Sequence, residues 1–164
     1  MSPPSCRLFS LAQGKDACFK TNNINAGTSS CHGIKSCEKV SDSTIGNHSC
    51  DGLACQSVQN SIIHDGSCHG GYSCHSVQNS TIHDGSCRCD DGHCCAEMQN
   101  SIIGKGSCNG GSSSCEYVVN VKIGSNSCNG KKVCYKCKHN VPDNACNQGI
   151  TDDMDINGFC NYCL

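Results

Sequence analysis

Six times along the chain a cysteine is followed by another exactly thirteen positions on: Cys18 and Cys31, Cys37 and Cys50, Cys55 and Cys68, Cys74 and Cys87, Cys95 and Cys108, Cys115 and Cys128. The units these pairs open are 19, 18, 19, 21, 20 and 19 residues long, so all the variation in length falls after the second cysteine. A segment that absorbs insertions while the rest holds strict register is a surface turn. Two successive units are almost the same text: SVQNSIIHDGSC at 57–68 and SVQNSTIHDGSC at 76–87 differ only in Ile62 against Thr81.

Aligned on their first cysteines, the units form columns. The third residue after that cysteine is Thr21, Val40, Val58, Val77, Met98 and Val118, and the eighth is Ala26, Ile45, Ile63, Ile82, Ile103 and Ile123. Serine always precedes the second cysteine, and glycine stands two residues after it in five of the six units. A unit with one or two apolar sites cannot bury a face alone, whereas a stack of such units can. Helical repeats run to about 33 residues or more and tolerate Gly, Asn and Ser poorly. The spacing therefore predicts an all-β fold: a single-domain, disulfide-rich β-solenoid (β-helix) of about 19 residues per coil, each column a ladder of like residues about 4.8 Å apart. Residues 18–134 would form six coils, with residues 1–17 as an N-terminal cap and 135–164 as a cysteine-rich C-terminal cap.

Composition agrees. The chain has 20 Cys in 164 residues but no Trp, 3 Phe and 4 Tyr. That is about 12% Cys, above the roughly 8 to 10% that marks a disulfide scaffold, and with so few large side chains covalent links must supply stability that a core does not. Counting Cys134 and Cys146 as a final, shortened pair, two columns hold fourteen of the cysteines. One disulfide per coil is geometrically reasonable, joining the second cysteine of a unit to a first cysteine in the same coil or the next. Cys6, Cys89, Cys94, Cys137, Cys160 and Cys163 remain, and closing a local loop is the simplest use of Cys89 and Cys94.

A formal charge of −2 gives no reason to expect nucleic acid as a partner, and no stretch approaches the roughly 18 apolar residues of a membrane span. No signal peptide is visible, since the opening twenty residues carry only the apolar run LFSLA. Extensive disulfides nevertheless place the protein in an oxidising compartment, outside the cell or in an organelle lumen.

Metal binding competes at three places. Cys134 and Cys137, with Cys160 and Cys163, are two CxxC pairs 22 residues apart, a spacing compatible with a zinc ribbon; the competing reading is a disulfide-tied end cap. The turn CRCDDGHCC at 87–95 is dense in ligand types, although a disulfide-closed turn explains its cysteines. His64 and His83 share a column beside Asp65 and Asp84 and could converge on a cation.

No catalytic motif is present: no GxSxG, HExxH, P-loop or dinucleotide fingerprint, and no cofactor is called for. The seventh column contains Thr44, Ile62, Thr81 and Ile102 and should alternate with the Ile column, so it points outward. In its small coils, high Cys and Thr-bearing strands the chain resembles insect cysteine-rich β-helical antifreeze proteins, which implies an ice- or mineral-binding face. Those proteins have a shorter coil with Thr-x-Thr on nearly every turn, whereas here Asp42-Ser-Thr44 and Asn79-Ser-Thr81 come nearest. The units STIGNHSCDGLAC, SIIGKGSCNGGSSSC and VKIGSNSCNGKKVC resemble the IGxxSCxGxxxC repeats of diatom and other algal proteins over about residues 18–134. That resemblance implies a disulfide-rich solenoid. The expected role is non-enzymatic: a rigid solenoid offering a repetitive face to a protein partner or larger assembly.

Overall fold

The computed structural model describes residues 6–8, 17–89, 94–110, 114–131, 133–147 and 160–163. Among these residues seven strands, β1 (Cys6–Leu8), β2 (Asn22–Ala26), β3 (Ser41–Ile45), β4 (Ile62–Ile63), β5 (Thr81–Ile82), β6 (Ile102–Ile103) and β7 (Lys122–Ile123), form one sheet in chain order. Every pairing is parallel. Each step from one strand to the next is one repeat: Thr44 pairs with Ile62, Ile62 with Thr81, Thr81 with Ile102, and Ile102 with Lys122. A parallel sheet whose neighbours are successive in sequence, with one coil between them, is the β-solenoid that the columns predict.

The sheet fixes direction. On β3 the burial alternates, with Ser43 and Ile45 inside and Asp42 and Thr44 outside. The interior is a stack of Val40, Val58, Val77, Met98 and Val118 beside Ile45, Ile63, Ile82, Ile103 and Ile123, closed by the cysteines. Polar residues complete it. Ser43, Ser61, Ser80 and Ser101 are buried, and each accepts the backbone N–H of the next coil, at 3.0 to 3.3 Å from Ser61, Ser80, Ser101 and Val121. The serines before the second cysteines make a second ladder. Ser67 and Ser86, for example, donate to the carbonyls of His83 and Gly104 at 2.9 and 2.7 Å, while accepting the N–H groups of Ser86 and Ser107. Ser36, Ser73 and Ser114 donate to the carbonyls of Cys50, Cys87 and Gly130. No buried side-chain polar atom among the described residues lacks a partner, as a narrow interior with so much serine requires.

Corners are made by left-handed backbone. The fifth position of the unit is Asn23, Asp42, Asn60, Asn79, Asn100 and Asn120, all with φ between 47° and 52°, and Asn and Asp are the side chains that enter this region most readily. The cysteines of both columns are also left-handed, with φ from 52° to 60°. At Gly33, where φ is 121°, a Cβ would come within 2.6 Å of the Gly52 carbonyl oxygen on the next coil, so that turn stacks only without a side chain.

The ladder reaches into both segments expected as caps. Cys6, Arg7 and Leu8 pair with Ile24, Asn25 and Ala26. At the other end Val141 bridges Ile123, and the N–H groups of Gly124 and Cys128 reach the carbonyls of Val141 and Ala145 at 2.7 and 3.0 Å. Residues 90–93 of the inserted turn, the acidic stretch ITDDMD, Phe159 and Leu164 lie outside the described residues.

Candidate functional site

The cysteines form the covalent wall of the coil. Disulfides join Cys31 to Cys37, Cys50 to Cys55, Cys68 to Cys74, Cys87 to Cys95, Cys108 to Cys115 and Cys128 to Cys134, with Cα separations of 5.4 to 5.8 Å. Of the two partners that the sequence leaves open, the structure takes the second cysteine of one unit with the first of the next, across the short turn. Every staple thus closes the corner at which one coil hands over to the next. Cys89 and Cys94 close the inserted turn on itself, as the sequence suggests. Cys18 lies half-buried against the core.

The C-terminal cysteines are brought together, but as disulfides. Cys134 keeps its column place opposite Cys128, Cys137 joins Cys163, and Cys146 joins Cys160. The sulfurs of Cys134, Cys160 and Cys163 do crowd within 4.8 Å of one another, as do those of Cys115, Cys128 and Cys134. Zinc binds thiolate, and a sulfur in a disulfide is none. Of the two readings the sequence offers here, this arrangement has the geometry of the disulfide-tied end cap, with Cys134 committed to the repeat and the other three cysteines of the CxxC pairs at the end of the solenoid.

His64 and His83 are adjacent as expected, with ring centroids 5.0 Å apart and planes 13° from parallel. Stacked rings send their in-plane lone pairs along parallel lines, not toward a shared ion. Asp65 is engaged in the scaffold, accepting the Asn47 backbone N–H at 2.7 Å, and Asp84 lies 3.8 Å from Lys105 Nζ and 3.9 Å from His64 Nδ1.

The strand face is where the sequence put it. Thr44, Ile62 and Ile102 are exposed and Thr81 is half-exposed, in one registered row. Ile62 and Ile102 keep 46% and 43% of their surface, apolar area that the fold itself does not cover. The Asn and Asp corner column stands beside this row, and Asn23 donates to Asp42 at 2.8 Å. At the far end of the face Lys122, Lys105 and Asp143 border a shallow cavity of about 310 Å³.

A third surface was not singled out from the sequence. The residues after the second cysteines are His32, Asp51, His69, Arg88, Asn109, Asn129 and Asn147. Backbone bridges join Asp51 to His69 and His69 to Arg88. From Asn109 onward this column is an amide ladder: Asn109, Asn129 and Asn147 accept the N–H groups of Arg88, Asn109 and Asn129 at 2.9 to 3.2 Å. Its first half is made of histidine and aspartate and borders, with Ser29 and His48, a cavity of about 260 Å³. The signal was present in the sequence as a fixed offset of one from the second cysteine, hidden because that offset opens the turn of variable length. Elsewhere on the surface the Tyr117 phenol is held above its ordinary pKa by the Glu116 carboxylate and, next, that of Glu97.

Parallel coils, a serine-lined interior and a cysteine staple at each handover together define a disulfide-stapled β-solenoid repeat protein. Within that class the chain belongs to the DUF7640 family, a domain of unknown function, whose family model matches residues 10–113. No curated protein and no solved structure matches the chain. Among the described residues no helix is long and apolar enough to cross a membrane, and the disulfide content is that of a protein made for an oxidising compartment.

Proposed function

We propose that this protein is a non-catalytic structural scaffold, extracellular or lumenal, that offers its strand face to a protein partner as an accessory part of a larger assembly. The observation that carries the reading is the outward registered row Thr44, Ile62, Thr81, Ile102, exposed or half-exposed on a sheet whose successive coils are joined by disulfides. A rigid face binds without an ordering cost, and a row of apolar and hydroxyl groups at the strand repeat suits an extended, largely uncharged partner surface. The non-catalytic part rests on the cysteines: the eighteen joined in nine disulfides are not nucleophiles. The test is a photo-crosslinking residue at Thr81, used in the native extracellular or lumenal fraction of the source. A discrete adduct that disappears when Ile62→Lys and Ile102→Lys are added, with melting unchanged, supports the reading; an adduct indifferent to those changes sinks it.

The same row favours one second reading, an ice or mineral surface, because Thr44 and Thr81 stand in one outward register on alternate strands, about 9.6 Å apart at twice the strand spacing, with Ile62 between them. Thermal hysteresis that vanishes with Thr44→Lys and Thr81→Lys would establish it, and its absence in the native chain would remove it.

A further inference from the structure

His69 takes a place in its column that asparagine holds later in the chain. Asn109 and Asn129 each donate from their amide to the carbonyl of a turn residue on the preceding coil, Gly85 and Gly106, at 2.9 and 3.0 Å. His69 makes the equivalent contact through Nε2, 2.7 Å from the carbonyl oxygen of His48. A carbonyl only accepts, so Nε2 carries the hydrogen and the tautomer of the ring is settled. In the neutral ring Nδ1 is then left with a lone pair, and it faces Asp51 Oδ2 at 3.8 Å. Lone pair and carboxylate repel each other unless a positive charge lies between them, either a proton on Nδ1, which makes the contact an ion pair, or a cation.

We propose that these residues form a binding site for a divalent transition-metal ion, zinc being the model, held by His69 Nδ1 and Asp51 Oδ2 and completed by His32. Three features support it. First, a histidine whose other nitrogen donates to a backbone carbonyl is the usual form of a metal-ligating imidazole, since that bond orients the ring and raises its basicity. Second, two ligand atoms about 2.0 to 2.2 Å from a tetrahedral zinc stand about 3.3 to 3.6 Å apart, so the 3.8 Å between His69 Nδ1 and Asp51 Oδ2 needs only a small side-chain adjustment. Third, His32 occupies the same column one coil before Asp51 and two before His69, its carbonyl bonded to the Gly52 N–H at 2.7 Å, and borders the same cavity of about 260 Å³. In the present rotamers His32 does not form a three-ligand group with Asp51 and His69, so the proposal requires the half-buried His32 ring to turn toward them. Imidazole and carboxylate together suit zinc, nickel or copper better than calcium or magnesium.

This site is separate from the strand face, so its failure leaves the scaffold reading untouched. The test is calorimetric titration of zinc(II) into chain stripped by chelator and dialysed without reductant, so that the disulfides stay closed. The expected result is one zinc per chain. His69→Asn is the informative variant, because asparagine at this column already makes the carbonyl contact in three other coils; it should keep the melting temperature of the native apo chain. Its zinc affinity should fall at least about 10-fold, the scale on which even outer partners of a metal act. Asp51→Asn should weaken zinc likewise, whether or not His69→Asn folds well, and His64→Asn with His83→Asn should leave it unchanged. No saturable zinc binding, or binding unmoved by Asp51→Asn, overturns the proposal, as does binding that is lost with His64 and His83.

Discussion

Ile62 and Ile63 are the same residue, side by side on the two-residue strand β4, and their surroundings could hardly differ more. Ile63 is 1% exposed and Ile62 is 46% exposed. The same contrast recurs on β6, where Ile103 is sealed and Ile102 keeps 43% of its surface. Strand alternation explains the direction each points, and the columns show what direction costs in freedom. The inner column reads Ile45, Ile63, Ile82, Ile103 and Ile123, one residue type through five coils, because each side chain is the floor for the next and a change of one methylene is felt in a packed interior. The outer column reads Thr44, Ile62, Thr81, Ile102 and Lys122, because only solvent lies above it. In a repeat protein, then, a uniform column marks what stacking demands, and a column that changes character midway, as His32, Asp51 and His69 give way to Asn109 and Asn129, marks where stacking is already satisfied.

The inner wall depends first on its staples, and removing them all should have the largest effect. Each of the six handover disulfides closes a loop of 5 to 8 residues, worth about 2 kcal/mol apiece in the chain-entropy account. Their sum is comparable with the whole 5 to 15 kcal/mol stability of a typical domain. Reduction followed by alkylation should therefore abolish the β-sheet signal in circular dichroism at room temperature. A reduced chain that keeps it would show that side-chain stacking alone suffices and that the cysteines are not the wall they look like. Next in size comes the inner member of the isoleucine pair. Ile63→Ala should cost about 2 to 5 kcal/mol, transfer and cavity terms together, while Ile62→Ala should stay within about 0.5 kcal/mol. Chemical denaturation of the two variants measures the contrast directly, and equal losses would break it.

Much of this was legible in the sequence because stacking is strict. The thirteen-residue cysteine interval, the valine and isoleucine columns and the outward row each follow from a register that admits no slip, since one residue of slip would exchange inside for outside. What escaped was decided by backbone conformation. Whether Cys50 meets Cys37 of its own unit or Cys55 of the next depends on how the corner closes, and both Cys50 and Cys55 sit in left-handed backbone that no cysteine spacing reveals. The Asn and Asp at position five, from Asn23 to Asn120, did carry such a signal, in residues that favour that region. The serine ladder on the strands was blurred at its ends, where Ile24 and Val121 stand in its column. The candidate metal centres went to the residues richest in ligand atoms; stacking turned His64 and His83 face to face, and disulfides took the CxxC sulfurs.

That serine ladder gives the smallest and most local way to sharpen the contrast between the walls. Ser80 is 3% exposed, donates to the Gln78 carbonyl at 2.8 Å and accepts the Ser101 N–H at 3.0 Å. In Ser80→Ala the Gln78 carbonyl keeps the Asn100 N–H at 2.9 Å, but the Ser101 N–H is left buried on the next coil without its acceptor. An orphaned buried donor costs about 1 to 3 kcal/mol, less than the cavity at Ile63 and more than any change at the neighbouring Thr81. The loss should also be directional. Each serine serves the N–H of the coil that follows, so Ser80→Ala should speed hydrogen exchange at Ser101 while leaving Ser80's own N–H, which donates to Ser61 Oγ at 3.1 Å, protected as before. Val121 shows the logic already at work: it offers no oxygen onward, yet its own N–H still rests on Ser101 Oγ at 3.3 Å, so the onward contact can be lost without losing the backward one. Exchange that quickens equally on both sides of residue 80 would mean that the coils open together and that the ladder has no polarity to lose.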